Sequence, residues 1–422
     1  MPSLGLIHTT RDSVSSTTST SFVEVNESSA LTSGKTYYVV CHALIEGSNS
    51  NQIFEWQLVD RTNSDTTLTG SHMILEPAQG TVTQSYYFVG KFTAGSGGGG
   101  LAFEQKAASG YTAKTRYLSM MLMELSELQS SDYFFSTDTS STALTTTFQD
   151  FAVARPTTTA SDKWLVFAFI DVDVNNVSHN VEMRLHYESN VGGTISSKPL
   201  ISFEGEDTTE QNLWAFCRGY AMSGTSEVFT VQARIDNASG GGAHRNSTVF
   251  GLRLDAFEDS YFEYTEAEND TTSTGWVELD SKAFTPTSSG DVLVFATAIF
   301  EGESTTRKSY GRVQVDGTTS PNSQPDSYRA VNLRDSSSLL PMFYVTKYTG
   351  SAGVSDTVDW DVKKEASAEY GWQEYTLAIF SAEIPETAPI NYQAVASDTH
   401  TSGDVASSTY NSGDRAAEVN PT

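Results

Sequence analysis

Two carboxylates stand two residues apart in IDVDVNN (170–176), at Asp171 and Asp173. Side chains alternate between the faces of an extended strand, so both acids point to the same side, and a pair of hard oxygen ligands is what calcium takes. The acidic EGED (204–207) belongs to the same part of the chain. Asp171 and Asp173 are therefore the candidate metal ligands, and calcium is the one cofactor the residues admit. A plainer reading stands beside it, in which they are solvated acids at a strand end. Glu46 and Glu301 occupy the place of Asp173 in similar stretches and have no second acid two residues earlier.

Other chemistry leaves no pattern. The seven histidines form no HExxH and have no cysteine partner at zinc spacing. There is no GxSxG elbow, and no Lys-Ser/Thr pair follows GSGGGG (95–100), which falls where AMSGTSE and TGSAGVSD read as hairpin turns. That run is expected to be a flexible turn. The carboxylates are too many, 52 in all, for a glycosidase pair to be singled out. Cys41 and Cys217 sit in apolar runs and are expected to be buried, reduced thiols. N-x-S/T triplets begin at Asn26, Asn176, Asn237, Asn246 and Asn269, and mark surface loops at most. No enzyme is expected.

The elements that would hold these residues repeat. LVFA occurs at 165–168 and 293–296, a spacing of 128. Phe88, Phe216 and Tyr344 keep that spacing, as do Phe92, Tyr220 and Tyr348. Short gaps bring FEWQL, VEMRL and GRVQV into line, and then YLSMMLMEL (117–125), VFGLRLDAF (249–257) and EYTLAIFSA (374–382). The third copy shows eight alternating segments bounded by Gly, Ser, Asp and Pro clusters: YFEYTE, WVELDSKAF, VLVFATAIFE, GRVQVDG, YRAVNLR, PMFYVTKY, TVDWDVKKE and EYTLAIFSA. Eight short strands without a helical crossover predict an antiparallel, jelly-roll-like β-sandwich. The expectation is an all-β chain of three tandem β-sandwich domains at 1–130, 131–258 and 259–385, with Phe216 and Tyr344 at equivalent core positions. YLSMMLMELSEL is rich in helix formers, but its counterparts read as strands, so it is expected to be one too.

In WLVFAFI (164–170) both faces of the strand are apolar. One face fills a sandwich core; the other must be covered by a neighbouring domain, a loop or another subunit.

Charge narrows the partners. With 25 Lys+Arg against 52 Asp+Glu the net charge is −27, and no basic run is present, so nucleic acid is excluded. WLVFAFI is far short of the roughly 20 residues that span a bilayer, so no membrane insertion is expected. The N-terminus, MPSLGLIHTTRDS, has neither the basic nor the apolar region of a secretory signal.

The units SGKTYYVVCHALIEG, SDKWLVFAFIDVD and SGDVLVFATAIFEG, with the closing strands at 117–125, 249–257 and 374–382, resemble in style the repeat-built structural proteins of tailed phages and archaeal viruses. That resemblance implies a non-enzymatic virion structural protein on the exterior of a capsid or tail, as decoration, spike or fibre. Its implied partners are other virion proteins, further copies of itself and a host-surface glycan or receptor. The alternative is a carbohydrate-binding, lectin-like adhesin on an extracellular surface, with aromatics of the linkers DYFF (132–135) and SYFEY (260–264) stacking on sugars. The tail 386–422 resembles the start of a fourth repeat, since Ile390 and Tyr392 follow Phe262 and Tyr264 by 128. Ile390, Tyr392 and Val395 are therefore candidates for a strand added to a sheet edge during assembly.

Overall fold

The alternating and doubly apolar segments all become strands. The structure is a computed structural model that describes residues 2–385 apart from 77–81, 175–178, 190–192, 198–199, 205–210, 239–240, 267–268, 272–274, 303–306, 321–328, 334–338 and 365–369. Ile390, Tyr392 and Val395 lie outside the described residues, as does most of EGED.

Eight principal strands make up the first set: β1 (Gly5–Arg11), β2 (Val23–Glu27), β3 (Thr36–Gly47), β4 (Phe54–Asp60), β5 (Met73–Leu75), β6 (Val82–Thr93), β7 (Leu101–Lys106) and β8 (Ala113–Glu124). The second holds β9 (Tyr133–Asp138), β10 (Gln149–Ala154), β11 (Lys163–Val174), β12 (Asn180–Ser189), β13 (Leu200–Glu204), β14 (Gln211–Ala221), β15 (Glu227–Ile235) and β16 (Gly242–Arg253). The third holds β17 (Ser260–Thr265), β18 (Val277–Phe284), β19 (Gly290–Gly302), β20 (Arg307–Val315), β21 (Arg329–Leu333), β22 (Leu339–Gly350), β23 (Asp356–Lys364) and β24 (Tyr370–Ser381).

Within the first set the sheet orders are β1-β8-β3-β6 and β2-β7-β4-β5, all antiparallel. The second and third sets repeat both orders, as β9-β16-β11-β14 with β10-β15-β12-β13, and β17-β24-β19-β22 with β18-β23-β20-β21. This is the jelly-roll order of two interleaved four-stranded sheets. All eight segments read in the third copy are strands, and the fold is all-β, with no α-helix among the described residues. The register repeats too: Cys41 pairs with Phe88, Ala168 with Phe216 and Ala296 with Tyr344. Phe216 and Tyr344 are fully buried at these matching places.

YLSMMLMEL lies in β8, paired on one side with β1 and on the other with β3. Two hydrogen-bonded neighbours and burial of both faces override its helix propensity. The sequence alignment of its counterpart needs correction by three residues. Met121 pairs with Val40, Phe250 with Phe167 and Ala378 with Phe295, so the segment matching 117–125 is NSTVFGLRL (246–254), not VFGLRLDAF. Alternation fixes register only where one face is polar, and here neither face is.

Two other expectations are corrected. GSGGGG is an anchored loop, with Gly95 N donating to Thr62 Oγ1 (2.6 Å) and Gly97 N to Thr62 O (2.9 Å). A Cβ at Gly95 would stand 2.4 Å from the Thr62 carbonyl oxygen, so close backbone approach demands the glycines there. Asn246 is buried inside β16, not on a surface loop.

Candidate functional site

The second apolar face of WLVFAFI is covered from within the chain. Trp164 faces its own sandwich, where Phe134 bridges it (5.3 Å between ring centroids) to Phe229 of the opposite sheet (5.4 Å). Phe167, on the other face, meets Phe295 (5.1 Å) and Phe343 (6.2 Å) of the third set, and Phe169 meets Phe88 (5.4 Å) of the first. Strands β6, β14 and β22 lie against β11 and β16, β19 and β24, and β3 and β8 respectively, so each set contacts the next and the third returns to the first. Where they converge, Gln84 Nε2 donates to Asn212 Oδ1 (3.0 Å), residues 128 apart, and Tyr87 Oη donates to Pro341 O (2.8 Å). At one junction the sheets join directly, Ser202 of β13 bridging to Leu339 of β22. Residues 2–384 accordingly form one compact unit.

Cys217 belongs to this closure, with its thiol 3.3 Å from Thr297 Oγ1 of the third set. Burial pushes the thiol up to about 12, and both cysteines are buried thiols outside any disulfide. A thiol reagent such as Ellman's should therefore find no reactive cysteine in the native protein at pH 8 and two after denaturation. Fast native labelling of one thiol would contradict the closed packing.

Asp173 has a structural partner. Each set carries a bulge at the same place, where the closing strand passes Leu44, Asp171 or Ile299. The extra residue turns its side chain aside. Arg116, at the bulge of β8, binds Glu46 together with Lys114 (2.5 and 2.6 Å), and Arg245, at the bulge of β16, pairs with Asp173. Against the effect of burial, Lys114 and Arg116 hold the Glu46 carboxyl below its ordinary range. In the first two sets the acid is thus a counter-ion to a bulge; in the third the extra residue is Gln373. Asp171 takes the place of Leu44 and Ile299, only 4% exposed, and its Oδ1 has no hydrogen-bond partner among the described residues. The structure brings a guanidinium to the pair rather than further oxygens, and no three metal-capable side chains gather among the described residues. Calcium favours six to eight oxygens.

The aromatics of DYFF and SYFEY are not exposed linkers. They begin β9 and β17; Tyr133 and Phe135 pack on Tyr38 of the first set (5.6 and 5.7 Å), while Phe134 packs inside its own sandwich. Phe262 lies so close over Gly219 that a Cβ there would fall 2.2 Å from its ring. Beside it Arg218 is buried against the Tyr264 ring (3.7 Å) and pairs with Glu266 (3.0 Å), while Tyr264 Oη donates to Glu374 Oε2 (2.6 Å). This cluster ties the second set to the third; the sequence singled out Tyr264, within SYFEY, and Tyr220, by its 128 spacing, but gave no sign of Arg218 or of Glu374.

No family model matches the chain, and no curated protein is similar to it in sequence. Among solved structures it is similar to the N-glycanase PNGase F (8% identity, 60% of this chain and 97% of that one, TM-score 0.32). It is also similar to an archaeal-virus protein described under "The Triple Jelly Roll Fold and Turret Assembly" (12%, 86% and 85%, 0.18) and to infectious bursal disease virus strain Gt (8%, 92% and 83%, 0.24). Superpositions this loose assign neither family nor function.

Proposed function

We propose that this chain is a non-enzymatic structural protein of a virion exterior, a decoration, spike or fibre component that assembles with other virion proteins and further copies of itself. The observation that carries the reading is the closed ring of three jelly-roll sets. A single chain encloses a triad of doubly buried sheets and commits its apolar surface and aromatic clusters to rigidity. Such a body is suited to mechanical display. The aromatics first assigned to sugar stacking are largely spent between sets, which favours display over a lectin built on DYFF and SYFEY as exposed linkers. An antiserum raised against the purified chain should decorate intact particles in immuno-electron microscopy. Labelling only after particles are opened, or none, would overturn the exterior assignment.

A further inference from the structure

Lys91, Gly219 and Lys347 hold one register position in the three sets, paired with Tyr38, Leu165 and Leu293. In the third set Lys347 binds Asp291 (2.6 Å), whose place in the first set is taken by Thr36. Lys91 keeps the charge without the acid. Its ammonium stands over the rings of Phe135 (4.4 Å) and Tyr38 (5.8 Å), and no carboxylate pairs with it among the described residues. Packing does not require a side chain at this position. At the next junction Phe262, the match of Phe135, closes directly over Gly219.

Lys91 lines a cavity of about 520 Å³ between the first and second sets, together with Tyr38, Tyr133, Phe135 and the residue that follows β10, Arg155. That volume falls within the usual range for small-molecule sites. Arg155 is exposed and makes no hydrogen bond or ion pair among the described residues. Two uncompensated cations, one from each set, therefore line one cavity, and no carboxylate is among its described lining residues. Elsewhere in the first set the pattern is the opposite: Arg61, Lys106, Lys114 and Arg116 each bind a carboxylate.

Two such cations suit an anion, and a guanidinium fork matches a carboxylate through two parallel hydrogen bonds. Lys91 and Phe135 also line an adjoining cavity of about 400 Å³, whose walls carry the exposed Thr69, Thr93, Thr137 and Thr139. Hydroxyls both donate and accept, which favours a polyhydroxylated neighbour to the anion over an apolar one. Phe135 and Tyr133 are engaged by Lys91 and Tyr38, so recognition here is by charge and hydrogen bonds rather than by ring stacking. We propose that the groove between β6 and β9 binds an acidic sugar, a carboxylate borne on a polyhydroxylated ring, with Lys91 and Arg155 on the carboxylate and the threonine-lined side taking the sugars linked to it. This rests on the exterior reading only for where the sugar comes from, a glycan on the surface the particle meets.

The test is titration calorimetry of the full chain with sialyllactose, a glucuronate-terminated disaccharide, lactose, sulfated lactose and a tetraglutamate peptide. One or both carboxylated sugars should bind, more tightly than the other three probes; which of the two binds identifies the source. The net charge of −27 repels anions in general, so bulk charge would not produce that result. Lys91→Gln and Arg155→Gln should each weaken binding about tenfold or more, the loss of a charge-assisted hydrogen bond. Both side chains are exposed, so the melting temperature should stay nearly unchanged. Lys163→Gln, which removes an exposed charge at the start of β11, should leave binding as it was. Wild-type protein that binds neither carboxylated sugar, or that prefers lactose, its sulfate or the peptide, would overturn the proposal. So would unchanged affinity in Lys91→Gln and Arg155→Gln, or an equal loss in Lys163→Gln. Particle labelling with absent glycan binding would sink this site alone; glycan binding by a chain that labels no particle would sink the exterior reading alone.

Discussion

Phe167→Ala is expected to destabilise the protein by about 3–5 kcal/mol, the usual cost of emptying a buried phenylalanine site. Phe167 is fully buried and touches Phe250 of its own set (5.4 Å) and Phe295 and Phe343 of the third. Truncation opens a cavity between sets rather than within one sandwich, and rigid sheets on either side limit collapse into it. Urea denaturation of wild type and variant should show the loss in the midpoint. Because the covering residues come from the same chain, the loss should not depend on protein concentration. A change below about 1 kcal/mol, well under the range for such truncations, or one that vanishes at high concentration would mean that another subunit supplies the cover.

Asp171→Asn should stabilise the protein at pH 8 and leave it nearly unchanged at pH 4. Burial pushes the Asp171 carboxyl up to about 8, against the pull of Arg245, and the Asp173 carboxylate adds to the rise. In the unfolded chain an aspartate titrates near about 3.9. The folded state therefore favours the protonated acid, and that contribution is complete below the unfolded value and lost as pH rises toward 8. The surroundings explain why ionisation is unfavourable there. Asn246, across the strand pair from Asp171, donates to Thr69 O (3.4 Å) of the first set, and the neighbouring Tyr86 donates to Ser71 O (2.6 Å). Asparagine keeps the shape and removes the charge, so melting curves should separate by several degrees at pH 8 and converge at pH 4. Parallel curves across that range would show that Asp171 titrates in the folded protein as it does in the unfolded chain, and a loss of stability confined to calcium-containing buffer would favour the metal reading.

What the sequence determined by itself was the kind and number of local elements. Alternation is a property of each segment, so YFEYTE through EYTLAIFSA could be read one at a time, and their repetition at 128 brought Phe88, Phe216 and Tyr344 to one register position. It also showed that WLVFAFI needed cover on both faces. Which surface provides the cover is a long-range fact, because Phe167 meets residues 128 and 176 positions away and nothing local encodes their approach. The same limit governed the candidate sites. Asp171 and Asp173 look like one ligand pair along the strand, yet a bulge on the partner strand turns Arg245 toward Asp173 and leaves Asp171 in an apolar position. Arg218 carried no signal, and neither SYFEY nor the spacing of Tyr220 gave Tyr264 its partner, since what joins them is the packing of β14 against β17. Patterning acts over a few residues and fixes strands; the pairing of charges and the furnishing of cavities depend on which strands meet, which only the tertiary structure decides.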